Sequence, residues 1–399
     1  MKEELYSYMD TLYPQLMDRA EAIFARPELR FEERFACATW IDWLHGRGWQ
    51  TETGVGGLET AFRALYQKGE GGPSIGLLVE YDALPMGHGC GHHLQGAVLL
   101  AAAEAIRHSD ISGPYRLVIY GTPGEEGGQG KDIMAKNGCF RDIDVALMTH
   151  GAANTTVDVK SLSNIRLEAH FRGVAAHESL MPEAARSGLD ALVLAMQGLE
   201  FLRGHVRPEV RLSSTILSCP GMPGYTGGPD AVGAFSVRTY QPEDEPELER
   251  RLRDILQGAA LMSGTAVHIT KTRHLKGKLP SLSLNQIIMD NVKALDAPRQ
   301  LAFRERTGST DFSEVTHLVP GAVSRFPLVP EGATSHSQAF LDCGTGEPAR
   351  DTVAIGAQIM AATIYDLLTE PHLLQEVRRE FETRRDQYTQ LVSEIGHPI

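Results

Sequence analysis

One short stretch of this 399-residue chain concentrates side chains that can bind a metal ion. Residues 88–93, HGCGHH, hold one cysteine and three histidines directly after the apolar run SIGLLVEYDAL. Thiolate and neutral imidazole are ligands of zinc and of metals with similar preferences, so Cys90 and His92 are candidate ligands. The intervening glycines allow a tight loop. Two ligands do not define a metal site, however, and a buried cysteine with solvated histidines in a turn explains the same residues.

A second cluster is the pair of adjacent carboxylates Glu125 and Glu126, in the glycine-rich segment GTPGEEGGQGK that follows another apolar strand. One carboxylate of such a pair can bind a metal ion while its neighbour takes a proton from water. A solvated acidic loop is the alternative interpretation. His150, at the end of DVALMTH, and His336, in GATSHSQAF, complete the candidates. A single histidine at a strand end is more often structural, so the argument depends on all the clusters meeting at one sheet.

The elements that must position these residues follow an alternating pattern. The apolar strands SIGLLVEYDAL, YRLVIYGTP and VALMTHG are separated by the helix GAVLLAAAEAIRH and by a helix around KDIMAKNG. Such alternation predicts a mostly parallel α/β sheet, in which ligands bind beyond the carboxyl ends of the strands. Residues 1–46 predict two helices, the first ended by Pro27, and the chain is expected to end in a long helix from Arg350 through Leu368.

From about residue 165 the pattern changes to that of a second domain. A half-polar strand, IRLEAHFRG, precedes a helix near residues 188–202, two strands, the helix EDEPELERRLRDILQGAALMSG and the strand TAVHIT. The order β-α-β-β-α-β is typical of a ferredoxin-like α+β fold. We therefore expect a catalytic metal-binding domain formed by residues 1–163 and 273–399, with an inserted lid and dimerisation domain at 164–272.

Composition narrows the class of protein further. The length and the 42% hydrophobic content suggest two folded domains. A formal net charge of −13 argues against nucleic acid or an anionic membrane as a partner. Five scattered cysteines do not form a disulfide framework and favour a reducing compartment. The beginning of the sequence shows no signal-peptide pattern, and no apolar run reaches membrane-spanning length, so we expect a cytoplasmic protein.

Taken in order, the motifs resemble the metal-dependent amidohydrolase and aminoacylase branch of the dinuclear metallopeptidases. That branch includes hippurate, auxin-conjugate and aminobenzoyl-glutamate hydrolases, and the resemblance covers nearly the whole chain. The segments that carry it are ARPELRFEE, EYDALPMGHGCGHHLQGA, GTPGEEGGQGK, FRGVAAHESLMPEAARSGLDAL, GSTDFSEVTHLVPG and TSHSQAF.

The resemblance implies two divalent metal ions per chain, with zinc or manganese expected ahead of cobalt or nickel. It implies that Glu125 is the general base and that Asp82 orients a metal ligand. His177, in VAAHES, matches the lid histidine that helps to bind the scissile carbonyl. Dimers formed through the lid domain are also implied. The implied metal ligands are Cys90, His92, Glu126, His150 and His336.

The reaction that follows from this resemblance is hydrolysis of an amide bond by water activated at the metals. The expected substrates are small molecules: N-acyl or aryl-amide amino acids, or small dipeptides. A catalytically inactive relative that binds a small acyl amino acid is the alternative from another class. The complete set of glutamates and ligand positions argues against that alternative.

Two positions depart from the pattern of the family. His93 follows Cys-Gly-His where the family usually has Asp or Asn, and this imidazole could alter the surroundings of the ligands, face the substrate or be neutral. The segment GYTGGPDAVGAFSVR lacks the asparagine of the family's Asn-x-x-Pro element. Arg238, at the end of that segment, is a candidate partner for a substrate anion; a solvent-facing strand arginine is an equal alternative.

Overall fold

The computed structural model describes residues 2–177, 179–221 and 228–395 of the chain. Helices and strands alternate through the first part of the chain, as the apolar periodicity predicts. The α-helices are α1 (Lys2–Asp10), α2 (Tyr13–Ala25), α3 (Arg34–His45), α4 (His93–His108), α5 (Gly130–Lys136), α6 (Gly188–Arg203), α7 (Glu245–Ser263), α8 (Leu282–Ala294), α9 (Phe312–Thr316), α10 (Gln338–Cys343), α11 (Gly346–Thr369) and α12 (Pro371–Ile395). The β-strands are β1 (Gln50–Thr53), β2 (Phe62–Lys68), β3 (Ser74–Val79), β4 (Tyr115–Gly121), β5 (Val145–Ala152), β6 (Thr156–Ser161), β7 (Asn164–Arg172), β8 (Arg211–Ser218), β9 (Asp230–Arg238), β10 (Ala266–Leu275), β11 (Arg304–Thr307) and β12 (Gly321–Pro327).

The backbone divides into two compact units. One consists of Met1–Lys160 and Lys278–Asp386, and the other consists of Ser161–Gly277 and Gln387–Ile399. The first unit contains the eight-stranded sheet, in the order β1-β2-β4-β3-β5-β12-β6-β11. The second contains a four-stranded sheet in the order β10-β7-β9-β8.

The large sheet is parallel at its centre. β3 lies between β4 and β5, β5 also pairs with β12, and these neighbours all run parallel. The flanking strands β2 and β6 pair antiparallel with them. Every residue of β3 is buried, because Leu77 and Val79 face one apolar layer while Leu78 faces the other. Burial on both faces is typical of parallel strands between helical layers, and it confirms the predicted α/β class.

A single long apolar helix fills one side of this sheet. α11 packs on α4, and its central residues Ile359, Met360 and Ala361 are fully buried. Among the described residues it is the one helix long and apolar enough to cross a membrane, and 61% of its most apolar stretch is buried inside the protein. Its apolar length is therefore explained by the core that it fills.

The two ends of the chain differ from the sequence prediction. The N-terminal region contains three helices rather than two, because α1 ends at Asp10 and a new helix begins at Tyr13. Pro14 lies in the first turn of α2, where a missing N–H costs nothing. The final predicted helix is present as α11, but a further helix, α12, follows it, and Pro371 marks the new start.

The second unit has the predicted ferredoxin-like fold. Its four strands are antiparallel, and α6 and α7 cover one face of the sheet. In β7, Ile165, Leu167 and Phe171 pack toward the helices, while the alternating residues are polar. Ser187 caps α6 by accepting a hydrogen bond from the backbone N–H of Asp190 at 3.1 Å.

Candidate active site

The candidate residues of the first unit meet at one edge of the large sheet. The parallel strands β3, β4, β5 and β12 place their carboxyl ends side by side. His92 lies between β3 and α4, Glu125 and Glu126 follow β4, and His150 lies near the end of β5. His336 lies in the segment between β12 and α10. This edge is where a ligand is expected in a parallel sheet.

Cys90 is shared by two groups of potential metal ligands. Its sulfur lies with the ring nitrogens of His92 and His150 in a set whose ligand atoms are all within 4.8 Å of one another. It also lies with Glu126 and His336 in a second set of the same kind. The Cys90 thiol donates to Glu126 Oε1 at 2.6 Å, and His336 Nε2 lies 3.1 Å from the same oxygen.

Asp82 connects the two sides of this arrangement. Its Oδ1 lies 3.0 Å from His92 Nδ1, and its Oδ2 accepts the backbone N–H of Glu126 at 2.7 Å. The bond to Nδ1 directs His92 Nε2 toward the other donors, and a carboxylate of this kind fixes both the tautomer and the orientation of a ligand ring. His150 is held similarly, because its Nδ1 donates to the carbonyl of Gly151 at 2.8 Å.

Glu125 stands above a buried group of charges. Its carboxylate lies within 4.8 Å of those of Glu80 and Asp311. Lys131, at the start of α5, is fully buried between them and donates to Glu80 at 2.5 Å and to Asp311 at 2.6 Å. Gln95 also donates to Glu80, at 2.7 Å. One ammonium therefore offsets the repulsion among the carboxylates beneath the candidate base.

These surroundings shift the protonation of the site in opposite directions. Burial, reinforced by Glu80 and Asp311, raises the pKa of Glu125 well above its usual range. Burial lowers the pKa of His92, but Glu80 and Asp82 outweigh it and raise that pKa to about 10. Neighbouring groups with strongly shifted affinities for protons are typical of catalytic sites.

The thiol and the second imidazole are held neutral. Burial raises the pKa of the Cys90 thiol, and the carboxylates of Glu126 and Glu125 raise it further. Burial lowers the pKa of His150 well below its usual range, with Arg325 and His92 acting in the same direction. A neutral imidazole is the form that binds a metal ion, whereas the thiol must lose its proton to do so.

His93 does not face these donors. Its Nε2 donates to the backbone carbonyl of Gly344 at 2.7 Å, and its ring contacts those of His88 and Phe24. His88 is anchored in the same way, through Nε2 to the carbonyl of Ile23. The departure from the family pattern thus connects the start of α4 to the segment before α11, and this contact involves none of the candidate metal ligands.

The lid candidates lie in the second unit. His177 is exposed, and its Nδ1 accepts the backbone N–H of Ser179 at 3.3 Å. Arg238 is half-buried beside Arg166 and makes no hydrogen bond or ion pair within the described part of the chain; burial and the positive charge of Arg166 lower its pKa. The missing Asn-x-x-Pro element falls largely on residues 222–227, outside the described residues.

Sequence reasoning missed several residues beneath and beside the site. Glu80 and Asp311 lie inside motifs that were recognised, yet no role was assigned to them, and Lys131 was not singled out. Glu33, in ARPELRFEE, contacts the loop that carries Glu125. Charged residues at the margins of apolar segments were the available signal. Their partners are far away in the chain, so the pairing could not be inferred.

Comparison with known proteins places this geometry in a family. The sequence pattern of Peptidase family M20/M25/M40 matches residues 76–366. The chain is 28% identical to a p-aminobenzoyl-glutamate hydrolase of Escherichia coli (strain K12) over 466 aligned positions, which cover 96% of each protein. It is 29% identical to the Xaa-Arg dipeptidase of Homo sapiens, with 92% of this chain and 88% of that protein covered.

Solved structures agree on the fold. The aminobenzoyl-glutamate utilization protein from Klebsiella pneumoniae superposes with a TM-score of 0.70 at 18% identity, covering 92% of this chain and all of that one. The Bacillus subtilis YXEP protein, a dinuclear metal-binding peptidase from the M20 family, gives a TM-score of 0.68 at 17% identity, covering 90% and 99%. With more than half of its length matched and hydrolases as relatives, the chain belongs to Peptidase family M20/M25/M40 and is a metal-dependent hydrolase of amide bonds.

Proposed function

We propose that the protein hydrolyses the amide bond of small N-acyl or aryl-amide amino acids, or of small dipeptides, at a centre of two divalent cations. The observation that carries the proposal is the pair of three-residue donor groups that share Cys90, with Glu125 beside them. The substrate class is supported by relatives that are named p-aminobenzoyl-glutamate hydrolase, Xaa-Arg dipeptidase and N-acetyl-L-cysteine deacetylase.

The residues present fit two cations. Each group offers three donors, so Cys90, His92 and His150 would hold one ion, while Cys90, Glu126 and His336 would hold the other. Sulfur and imidazole donors favour zinc, and the carboxylates also suit manganese; cobalt and nickel accept the same donors. The short contact between the Cys90 thiol and Glu126 is a further sign, because a bound cation would take the place of the shared proton. Such ions, when bound, lower the pKa of water and polarise a carbonyl oxygen.

Glu125 is the general base of the proposed reaction. Its carboxylate takes a proton from the attacking water and returns it to the nitrogen of the departing amine. The buried charges of Glu80, Lys131 and Asp311 hold its surroundings fixed, so the carboxylate does not have to reorganise during the reaction. Asp82 keeps His92 and the backbone of Glu126 in register with it.

Two lid residues complete the proposal. His177 would donate a hydrogen bond to the carbonyl oxygen of the scissile amide, and its exposure leaves the ring accessible for this. Arg238 would bind the carboxylate of the substrate. It is half-buried and lies beside Arg166 without an acidic partner among the described residues, so an anion would relieve the repulsion between the two guanidinium groups.

The lid is proposed to extend over residues 164–272 and to form a homodimer. The compact unit Ser161–Gly277 supports that extent. β8 lies at an edge of the lid sheet, and its Ile216 and Leu217 are about half exposed. Phe201 and Leu261, on the helices, are 72% and 84% exposed. An open strand edge with exposed apolar side chains is suited to pairing with a second copy. A cytoplasmic location, with neither nucleic acid nor membrane as partner, remains part of the proposal.

The test combines metal analysis with a substrate screen. Purified protein should contain about two divalent ions per chain, as a centre with two donor groups requires. N-acyl amino acids, aryl amides and dipeptides should be supplied separately, with Glu125→Gln as the matched inactive control. Release of free amino acid by the wild type alone supports the proposal. Tight binding of an acyl amino acid without turnover would instead favour the inactive binding protein.

Mixing of protomers tests the roles of His177 and of the dimer. His177→Ala and Glu125→Ala are prepared separately, and both should be nearly inactive. If His177 acts on the site of the other protomer, mixed dimers contain one complete site and activity returns. Mixed dimers that stay inactive exclude action across the interface, and full activity of His177→Ala alone excludes any catalytic role.

A further inference from the structure

The loop that carries both candidate glutamates, residues 122–130, has few bonds of its own. We call it the glutamate loop. Within it, the N–H of Gly127 donates to the carbonyl of Glu125 at 2.6 Å, and that of Gly130 reaches the carbonyl of Gly124 at 3.4 Å. Its glycines remove side chains that could pack against neighbours. A loop of this composition needs contacts from elsewhere to hold a catalytic carboxylate in one position.

Those contacts come from a distant segment of the chain, Arg30–Glu33. The carboxylate of Glu33 accepts the backbone N–H of Gly124 at 2.9 Å, directly before the candidate base. The ring of Phe31 lies so close that a Cβ at Gly124 would approach it to 2.6 Å, and one at Gly128 to 2.7 Å. The Arg30 guanidinium donates to the carbonyl of Glu126 at 3.3 Å. Three residues of this segment therefore contact the loop.

Glu33 is free for this contact because another residue caps the adjoining helix. It occupies the N-cap position of α3, yet its side chain makes no capping bond. Glu28 does so instead, accepting the backbone N–H groups of Phe35 and Ala36 at 3.0 Å each. The other oxygen of Glu33 accepts the Thr60 hydroxyl at 2.8 Å, which fixes the rotamer of the carboxylate. Glu33 is fully buried, so solvent offers Gly124 N–H no substitute acceptor.

We propose that Glu33 is a positioning residue, which fixes the glutamate loop through Gly124 N–H and so holds Glu125 at its place in the reaction. The inference rests on the proposed role of Glu125 for its effect on turnover, but not for its effect on the loop. Phe31, with a φ of 66°, supports the same contact from a backbone conformation that L-residues rarely adopt.

Three substitutions separate reach from charge. Glu33→Gln keeps the length and the acceptor oxygen, Glu33→Asp keeps the charge but is one methylene too short, and Glu33→Ala removes both. Glu32→Ala is the matched control, because Glu32 is the exposed neighbour on the same segment. Each variant is assayed for kcat, KM, thermal unfolding and amide hydrogen exchange of peptides covering the glutamate loop and β3.

Glu33→Ala and Glu33→Asp should lower kcat by roughly tenfold to a hundredfold with little change in KM, since a small displacement of a catalytic group has effects of this size. Exchange of the loop peptide should accelerate about tenfold in both variants, while the β3 peptide stays protected. Glu33→Gln should remain within about threefold of the wild type in both readouts, because it keeps the acceptor. Glu32→Ala should behave as wild type.

Unchanged exchange of the loop in both shorter variants would overturn the proposal. Equal acceleration in β3, or failure of both shorter variants to fold, would also overturn it, because Glu33 would then support the fold as a whole. If the wild type hydrolyses none of the amides while loop exchange follows the expected order, the positioning role stands and the proposed function fails. If the wild type hydrolyses an amide while loop exchange stays unchanged in the variants, the proposed function stands and the positioning role fails.

Discussion

The candidate site has a floor and a rim that solve the same electrostatic problem differently. We define the floor as Glu80, Lys131 and Asp311, and the rim as Cys90, Glu126 and His336. In the floor, one buried ammonium lies between two carboxylates at 2.5 and 2.6 Å. In the rim, a thiol, a carboxylate and an imidazole crowd together, and the side chain of His336 is 54% exposed. The protein supplies its own cation to the floor, whereas the rim is left to metal ions.

The largest expected effect separates the two neighbouring glutamates above this floor. Glu125→Gln keeps shape and hydrogen bonding but cannot take a proton, so turnover should fall by about 10²–10⁴-fold with metal retained. Glu126→Gln should lose metal from the rim. Turnover and metal content measured on both variants check this. Activity of Glu125→Gln within tenfold of wild type would remove it as the base, and loss of metal there would exchange the two roles.

Removal of the floor's own cation should cost almost as much, but in stability. Lys131→Met leaves the carboxylates of Glu80 and Asp311 buried and unpaired, and breaking such a pair typically costs about 3–5 kcal/mol. The matched control is Lys136→Met, because Lys136 pairs with Asp132 at 2.7 Å but is 71% exposed. That change should cost about 0–1 kcal/mol. Equal free energies of unfolding in urea for the two variants would contradict a structural cation in the floor.

The rim should respond to its own ligands in a graded way. Cys90→Ser should weaken binding of both metal ions, because its sulfur belongs to both donor groups, whereas His336→Ala should weaken only one. Metal content per chain after dialysis against increasing chelator measures this difference directly. Full metal content in Cys90→Ser would exclude the thiol as a ligand. Loss of both ions in His336→Ala would show that the two groups are not independent.

The smallest effect concerns a carboxylate without a cation. Lys131 and His92 outweigh burial and lower the pKa of Glu80 to about 2, whereas burial raises the pKa of Glu33 to about 7. Since the folded state then binds the proton of Glu33 more tightly than the unfolded state, stability should decrease as the pH rises from about 4.5 to about 7. Relative to wild type, Glu33→Gln should gain at most about 3 kcal/mol over that interval. Parallel unfolding free energies from pH 4 to 8 would refute the shift.

Much of the fold and of the site could be predicted because the signals are local. Apolar runs such as SIGLLV predict strands buried on both faces, and the polar residues that follow them fall at the carboxyl ends of those strands. The N-terminal region was harder, because α1 and α2 are separated by only a two-residue turn within one apolar periodicity. The fold of the lid followed from alternation in β7 and the amphipathic pattern of α7.

The sequence by itself determined which donors stand beside which strand ends, since strand, loop and ligand are neighbours along the chain. Only the tertiary structure decided which buried charges meet. Lys131 joins Glu80 across 51 residues and Asp311 across 180, and Glu33 reaches Gly124 across 91. The direction of His93, toward Gly344 and away from the donors, is of the same kind. Burial makes each such group require a partner, but packing of distant segments determines which partner lies within reach.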